Sequence, residues 1–156
     1  MKIILMRHGQ AVEHDYENYT HPDSARQLTD FGEQQAKQTA DYIIGNYQPD
    51  YFVVSPYIRA QQTLQKLQAI AAKIPVIIQD NITPGDDAHA ALAALSRIEA
   101  ECLIVVCHMS IIAHIASLLT GISPESFSLA EARVFEMEFV MAGMATEIDR
   151  FVPKQP

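Results

Sequence analysis

Short, almost uninterrupted apolar runs alternate along the chain with segments whose apolar residues recur every three or four positions. Runs of this kind are typical of strands that helices cover on both faces. Apolar residues that recur every three or four positions are typical of helices that pack one apolar face against a sheet. The runs are residues 3–6, Tyr51–Val54, Val76–Ile78 and Cys102–Cys107. The helical positions are Ala36, Ala40, Ile43 and Tyr47, then Ala60, Leu64, Leu67 and Ala71, then Ala88, Ala91, Leu95 and Ile98, with a further helix over 111–119. This order predicts a parallel sheet with crossover helices.

The pattern changes near the C-terminus. Residues 134–139 and 146–151 alternate apolar and polar side chains around Ala142-Gly143-Met144. Strict alternation around a glycine-containing turn predicts a hairpin whose strands are half exposed at a sheet edge. The predicted fold is therefore a three-layer α/β/α domain, with a mostly parallel sheet that carries antiparallel edge strands.

Composition limits the class of protein. We expect one domain over residues 1–156, because nothing rich in Pro, Gly or Ser divides the chain. A net charge of −8 and a pI near 5.1 argue against nucleic acid or an anionic membrane as partner. We expect no signal peptide and no membrane span, since no apolar run reaches about 18 residues. Cys102 and Cys107 are expected to be core side chains of a cytoplasmic protein rather than a disulfide.

Cationic side chains follow the predicted strands. Arg7 and His8 come directly after the first run, Arg59 lies in the first turn of the helix after the second, and His108 ends the fourth. Arg26 precedes a helix whose cap is Thr29 or Asp30. Because parallel strands gather their carboxyl ends at one edge, these side chains are expected to converge on one cationic crevice. Ser55 and Pro56 are predicted as the N-cap and first residue of the second helix.

These residues lie in four motifs in a fixed order. The motifs are Arg7-His8-Gly9, then Leu28-Thr29-x-x-Gly32-x-x-Gln35-Ala36, then Ser55-Pro56-x-x-Arg59-Ala60-x-x-Thr63, and finally His108. With them the chain resembles the histidine phosphatase superfamily, which has the phosphoglycerate-mutase-like fold. The absence of a long insertion between strands is most similar to the short branch of bacterial phosphohistidine phosphatases of the SixA type.

The resemblance implies a chemistry. His8 matches the histidine that attacks phosphorus, Arg7 and Arg59 match the arginines that hold the phosphoryl oxygens, and His108 matches a second histidine, expected to be protonated. Phosphoryl transfer depends mainly on fixed positive donors and an in-line nucleophile, which these residue types provide. The implied reaction is transfer from substrate to His8 and then to water, with no cofactor and no metal.

Other residues have open roles. Arg26 is either a loop residue or a phosphate ligand. Asp86 and Asp87 follow the third strand, where many family members have a general acid, but aspartates beside a helix start also act as caps. Glu13 and Asp15 lack a spacing that demands a metal. Surface or packing roles are expected for His14, His21, His89 and His114. Among them, His21 is the best candidate for a residue at the rim of the site, because the segment that begins with His21-Pro22 leads to Arg26.

The small size favours an open site, suited to a phosphorylated side chain on another protein. The predicted function is a protein-phosphohistidine phosphatase acting on a signalling or phosphotransfer protein. A phosphatase of small or peptide phosphoesters is the alternative if Asp86 or Asp87 acts as an acid, and a phosphoprotein-binding module without catalysis is the third. Met109 follows His108 where many superfamily members have a small residue, which leaves the approach of backbone to a phosphate there undecided. The sequence identifies neither the partner protein nor the oligomeric state.

Overall fold

The computed structural model describes residues 1–14 and 21–156. Within those residues the chain forms six strands, four α-helices and one turn of 3₁₀ helix at Asp23–Ala25. The elements are β1 (Lys2–Arg7), α1 (Asp30–Asn46), β2 (Tyr51–Val54), α2 (Ile58–Gln68), β3 (Val76–Ile78), α3 (Ala88–Leu95), β4 (Cys102–Cys107), α4 (Ile111–Thr120), β5 (Ala132–Glu136) and β6 (Thr146–Phe151). The helices α1, α2 and α3 end one to three residues before the last apolar position of each predicted stripe. None of the helices in the described ranges is long and apolar enough to cross a membrane.

The strands form one sheet in the order β3-β2-β4-β1-β5-β6. The first four are parallel, and β5 and β6 are antiparallel to their neighbours. The pairing of β1 with β4 sets Arg7 opposite Cys107, the residue before His108. The predicted mixed sheet is confirmed, and its register brings the ends of the two central strands together.

Two apolar clusters cover the two faces of the sheet. Side chains of β1 alternate between them: Ile3 and Leu5 pack with α3 and α4, whereas Ile4 and Met6 pack with α1 and α2. The three-layer prediction is therefore confirmed. Cys102 and Cys107 are buried free thiols in these clusters, as expected.

The C-terminal hairpin differs from the prediction in position and exposure. Its first strand is Ala132–Glu136 rather than 134–139, and it pairs with β1 on one side and β6 on the other. Because β5 is an interior strand, even Arg133 is buried, and only β6 is exposed at the edge. Arg133 is accommodated by an ion pair with the equally buried Glu131.

Helix starts were predicted with mixed success. The Thr29 side chain accepts a hydrogen bond from Gly32 N–H, which confirms Thr29 as the N-cap of α1. The prediction of Ser55 as a helix cap is wrong, since α2 begins at Ile58. Ser55 Oγ instead accepts from Tyr57 N–H in the turn before the helix.

Candidate active site

A cavity of about 360 Å³ opens at the carboxyl ends of β1 and β4. It brings together three of the four residues with a predicted catalytic role, and also Arg26. Its lining comprises Arg7, His8, Gln10, Ala11, Asp23, Arg26, Arg59, Pro84, Met109 and Leu129. The crevice predicted from strand ends is thus present, and it is rich in guanidinium groups.

His8 lies at the floor of this cavity with 7% of its surface exposed. Its Nδ1 is 2.7 Å from the Gly9 carbonyl oxygen, which can only accept, so Nδ1 carries the proton and Nε2 carries the lone pair. Burial is the main reason that the pKa of His8 falls to about 3, and the charges on Arg59 and Arg7 add to it. His8 is therefore a neutral imidazole with a defined tautomer.

Glycine is required beside His8 for close packing rather than for an unusual backbone angle. A Cβ atom on Gly9 would lie 2.3 Å from the Gly32 carbonyl oxygen, and one on Gly32 would lie 2.0 Å from the Gln10 oxygen. Gly9 N–H also donates to Thr63 Oγ1 on α2. The loop carrying the imidazole is thus fixed against α1 and α2.

The two arginines contact different parts of the floor. Arg59 Nε donates to His8 Nε2 at 3.3 Å, and Arg7 Nη1 donates to the Phe127 carbonyl at 2.7 Å. Burial lowers the pKa of both guanidinium groups from a high starting value, which leaves them cationic near neutral pH. Arg7 Nε is buried with no hydrogen-bond partner in the described part of the chain, so it is a donor available to a bound anion.

His108 lies behind His8, with ring centres 5.2 Å apart, and it is fully buried rather than part of the cavity lining. Its Nε2 is 2.7 Å from Ser55 Oγ. That oxygen accepts from Tyr57 N–H and its own hydrogen can donate to Nε2, the arrangement in which the neutral ring carries its proton on Nδ1. Nδ1 has no partner among the described residues.

The expectation of a protonated His108 concerns the site with a phosphoryl group bound, and the free site differs from that state. Burial, together with the charges of His8 and Arg59, lowers its pKa to about 2. The free site therefore holds a neutral His108. Its Nδ1–H still provides a hydrogen-bond donor without a second buried charge.

Arg26 reaches the cavity, and an acidic residue that the sequence analysis did not single out lies between it and Arg59. Arg26 Nη1 donates to Asp23 Oδ1 at 3.0 Å, and Arg59 Nη2 donates to Asp23 Oδ2 at 3.1 Å. Partial burial acts to raise the pKa of Asp23, but the two guanidinium groups outweigh it and hold the pKa below its usual value. The one feature of the sequence that indicates this contact is the position of Asp23 three residues before Arg26, a spacing at which an ion pair can form.

Asp86 and Asp87 do not line the cavity. Asp86 Oδ2 accepts from Thr83 N–H and from its hydroxyl, while the Asp87 carboxylate accepts from His89 and Ala90 N–H as the cap of α3. Asp86 therefore stabilises the turn and Asp87 caps the helix, so both have local structural contacts of the capping kind that the sequence predicts as the alternative to a general acid.

The remaining predicted positions lie around or away from the site. His21 lines a separate cavity of about 260 Å³ that shares Arg26 with the first, whereas His89 and His114 lie at another surface. Asp15 falls outside the described residues. Within 1–14 and 21–156 no group of three or more His, Cys, Asp or Glu side chains is arranged to hold a metal ion.

Met109 extends along the cavity wall, and its Sδ accepts from Phe127 N–H at 3.4 Å. Its side chain thus turns towards the loop that holds Arg7. Gln10 and Leu129, which also line the cavity, lack any local sequence signal for that position.

Comparison with known proteins identifies the family of the chain. Residues 3–83 match the family model of the histidine phosphatase superfamily (branch 1). A Haemophilus influenzae protein named phosphohistidine phosphatase SixA homolog is 32% identical over 134 residues, covering 78% of each chain.

Solved structures share the fold. The tungstate complex of the protein histidine phosphatase SixA superposes with a TM-score of 0.84 at 24% identity, covering 98% of this chain and 97% of that one. A protein described as a phosphohistidine phosphatase SixA from Agrobacterium tumefaciens gives 0.83 at 21% identity, covering 97% of each. The family match covers the segments that carry Arg7, His8 and Arg59, and the fold match covers nearly the whole chain. The chain therefore belongs to the histidine phosphatase superfamily and is a phosphatase.

Proposed function

We propose that the chain is a protein-phosphohistidine phosphatase that works through a phosphorylated His8. The observation that carries this proposal is the state of His8: Nδ1–H is held by the Gly9 carbonyl, and the lone pair of Nε2 lies beside Arg59 in a cationic cavity. A neutral, oriented imidazole is the form that can attack phosphorus. The name of the Haemophilus influenzae relative supports the substrate class.

In the first step His8 Nε2 attacks phosphorus in line with the leaving nitrogen of the substrate. The new P–Nε2 bond forms as the substrate P–N bond breaks, and the substrate imidazole leaves neutral when its other nitrogen carries a proton. Arg7 and Arg59 bind the phosphoryl oxygens, whose charge they stabilise more strongly in a buried site than in water. The Arg59 Nε–H, which donates to His8 Nε2 in the free site, donates instead to a phosphoryl oxygen once the substrate is bound. The lone pair of His8 Nε2 is then available to attack phosphorus.

In the second step water attacks the phosphoryl group on His8. The P–Nε2 bond breaks, and His8 leaves as a neutral imidazole because Nδ1 keeps its proton. The water oxygen becomes the fourth oxygen of phosphate, and its surplus proton goes to phosphate or solvent. The Gly9 carbonyl thus serves both steps, by keeping Nδ1–H in place.

His108 is proposed to donate from Nδ1 to the phosphoryl group. Its buried Nδ1 lacks a partner, and an unsatisfied buried donor is costly unless a ligand satisfies it. In this role the Ser55 hydroxyl donates to Nε2, and the ring proton lies on Nδ1. Arg26, which lines the same cavity, is proposed as a further phosphate ligand.

A phosphohistidine suits the cavity better than a phosphoester does. An ester oxygen needs a proton as it leaves, whereas an imidazole can carry its own. Among the described residues that line the cavity, Asp23 is the one carboxyl group, and its lowered pKa makes it a poor proton donor at neutral pH. Asp86 and Asp87 are absent from the lining of the cavity, which supports phosphohistidine over an ester as the substrate.

We further propose that residues 1–156 act as one domain, without a metal, on a phosphotransfer or signalling protein of the cytoplasm. Arg7 ends β1, His8 and His108 directly follow β1 and β4, and Arg59 lies in the first turn of α2, so these candidate residues gather around one edge of a single six-stranded sheet. The positive charges of the arginines and the hydrogen-bond donor of His108 stabilise the phosphoryl oxygens, which is the role that a metal would otherwise fill.

Substrate selection tests the proposal. The value of kcat/KM is measured for a phosphohistidine-bearing phosphotransfer domain and for an aryl phosphate, with the wild type, His8→Ala and the control His89→Ala, whose side chain is exposed. We expect preference for the phosphohistidine protein, loss of turnover in His8→Ala and wild-type turnover in His89→Ala. Preference for the ester, or turnover that survives in His8→Ala, would overturn the proposal.

A further inference from the structure

Asp23 binds two arginines of the cavity, Arg26 and Arg59, through its side chain and its backbone. Its carbonyl oxygen accepts from Arg59 Nη1 at 2.7 Å, while Oδ2 accepts from Nη2 of the same guanidinium at 3.1 Å. Two acceptors on one residue therefore fix the plane of the Arg59 fork. That plane decides where the third nitrogen, Nε, points, and it points at His8 Nε2.

The second carboxylate oxygen joins Arg26 to the same assembly. Oδ1 accepts from Arg26 Nη1, and Arg26 Nε donates to the Val12 carbonyl at 2.7 Å. Arg26 is thus held at both ends of its guanidinium group. One carboxylate, using both oxygens, sets the separation of two cations.

Electrostatics explains why an anion is needed at this point. Arg26 and Arg59 repel one another, and each of them acts to lower the pKa of His8. The Arg59 side chain is only 4% exposed, so its charge relies on nearby acceptors more than on water, whereas the Arg26 and Asp23 side chains are 25% and 42% exposed and solvent screens part of the repulsion there. Without a carboxylate between them, the two guanidinium groups would move apart and Arg59 Nε would leave His8.

The geometry points to Asp23 as a positioning residue for the phosphoryl transfer, acting through Arg59. Its carboxylate and carbonyl orient Arg59 Nε–H towards the nucleophilic nitrogen of His8, and its second oxygen holds Arg26 at the same cavity. This inference deepens the proposed function and rests on it for the role of Arg59. Asp23 is not an acid or base in this scheme, because both of its oxygens are occupied by arginine donors.

A direct test observes the Arg59 Nε–H proton without any turnover. In ¹H–¹⁵N spectra of the wild type, this proton is expected to be protected from solvent exchange and to couple to His8 Nε2. Its resonance is assigned by its loss in Arg59→Lys. We expect protection and coupling to weaken markedly in Asp23→Ala and in Asp23→Asn, because the carbonyl of residue 23 remains as the one acceptor for Arg59 Nη1 while the carboxylate is lost. Both signals are expected to persist in the control Asp41→Asn, which changes an exposed pair with Lys37 on α1.

A kinetic test uses the single-turnover rate of His8 phosphorylation by a phosphohistidine protein. Asp23→Ala is expected to lower this rate about 10-fold to 100-fold, the cost of misplacing one reacting group by about 1 Å. In an Arg59→Lys background the same substitution is expected to have little further effect, because its partner fork is gone. Asp41→Asn is expected to leave the rate unchanged, and thermal unfolding of each variant confirms that it is folded.

The outcomes separate the inference from the proposed function. Three results would overturn the positioning role: protection of the Arg59 Nε–H in Asp23→Ala at the wild-type level, a loss of rate from Asp23→Ala that is as large in the Arg59→Lys background as in the wild type, or slowing confined to the hydrolysis of phospho-His8. If the wild type forms no phospho-His8 at all, the proposed function fails, and the spectra still decide whether Asp23 orients Arg59.

Discussion

Gly9→Ala is expected to damage both stability and catalysis, because Gly9 and the first turn of α1 are in backbone contact. The added Cβ would lie 2.3 Å from the Gly32 carbonyl oxygen, whereas ordinary contact begins near 3.4 Å. The loop and helix must then separate by about 1.1 Å, the difference between these distances. The obstacle is backbone, so no side chain can rotate away to relieve it.

We expect the free energy of unfolding to fall by about 1–3 kcal/mol, the usual cost of overpacking. The rate should fall about 100-fold, since His8 moves with the loop. Urea unfolding followed by circular dichroism measures the first, and single-turnover phosphorylation of His8 measures the second.

The control is Gly45→Ala, near the end of the same helix, where a Cβ meets nothing within 4 Å. It should raise stability by about 0.4–1 kcal/mol through the unfolded state and leave the rate unchanged. If Gly9→Ala matches the wild type in both measurements, the close contact does not constrain the nucleophile and the reasoning fails.

Three further predictions concern buried polar groups. Ser55→Ala leaves His108 Nε2 without its partner, so it should lower the free energy of unfolding by about 1–3 kcal/mol. The same substitution should slow the phosphorylation of His8 without altering the fold. A wild-type rate in single-turnover assays would contradict the role of this hydrogen bond. The pKa of His8 is about 3 in the folded chain and about 6.5 in the unfolded chain. Between these two pH values the unfolded state binds one more proton at His8 than the folded state does. The free energy of unfolding should therefore fall as the pH is lowered from about 6.5 towards 4. His8→Gln should reduce that slope, measured by denaturant titration at several pH values, by one proton, and an unchanged slope would refute the assignment. Arg133→Ala removes the buried partner of the Glu131 carboxylate and leaves it a longer ion pair with Arg150 and the Ser128 N–H donor. The free energy of unfolding should fall by about 3 kcal/mol, the lower end of the range for breaking a buried pair, as measured by denaturant titration. A loss below about 1 kcal/mol would show that the pair does not hold this strand.

The sequence predicted those parts of the fold that depend on neighbouring residues. Apolar runs located β1, β2, β3 and β4, because a strand covered on both faces is visible in its own composition. The convergence of Arg7, His8 and Arg59 followed from the rule that parallel strands place their carboxyl ends at one edge. Thr29 was recognised as a cap because capping is a local interaction.

Contacts between distant segments were not predictable in this way. Ser55 and His108 are 53 residues apart, and Asp23 and Arg59 are 36 apart, so neither pair leaves a periodic signal. Ser55 carried a competing local signal as a helix cap, which led to a wrong prediction.

The exposure of the C-terminal hairpin was misjudged for a related reason. Alternation of apolar and polar residues indicated a half-exposed strand, but β5 lies between β1 and β6. Its polar position, Arg133, is buried because Glu131 neutralises it, and that compensation depends on strand order rather than on the pattern of one strand.

The most direct test of the central claim is chemical trapping of the enzyme during turnover. The wild type, mixed with a ³²P-labelled phosphohistidine protein and quenched within milliseconds, should carry acid-labile, base-stable phosphate on Nε2 of His8. His8→Ala should carry none. Absence of label from the wild type during measurable turnover, or equal label on His8→Ala, would contradict the account.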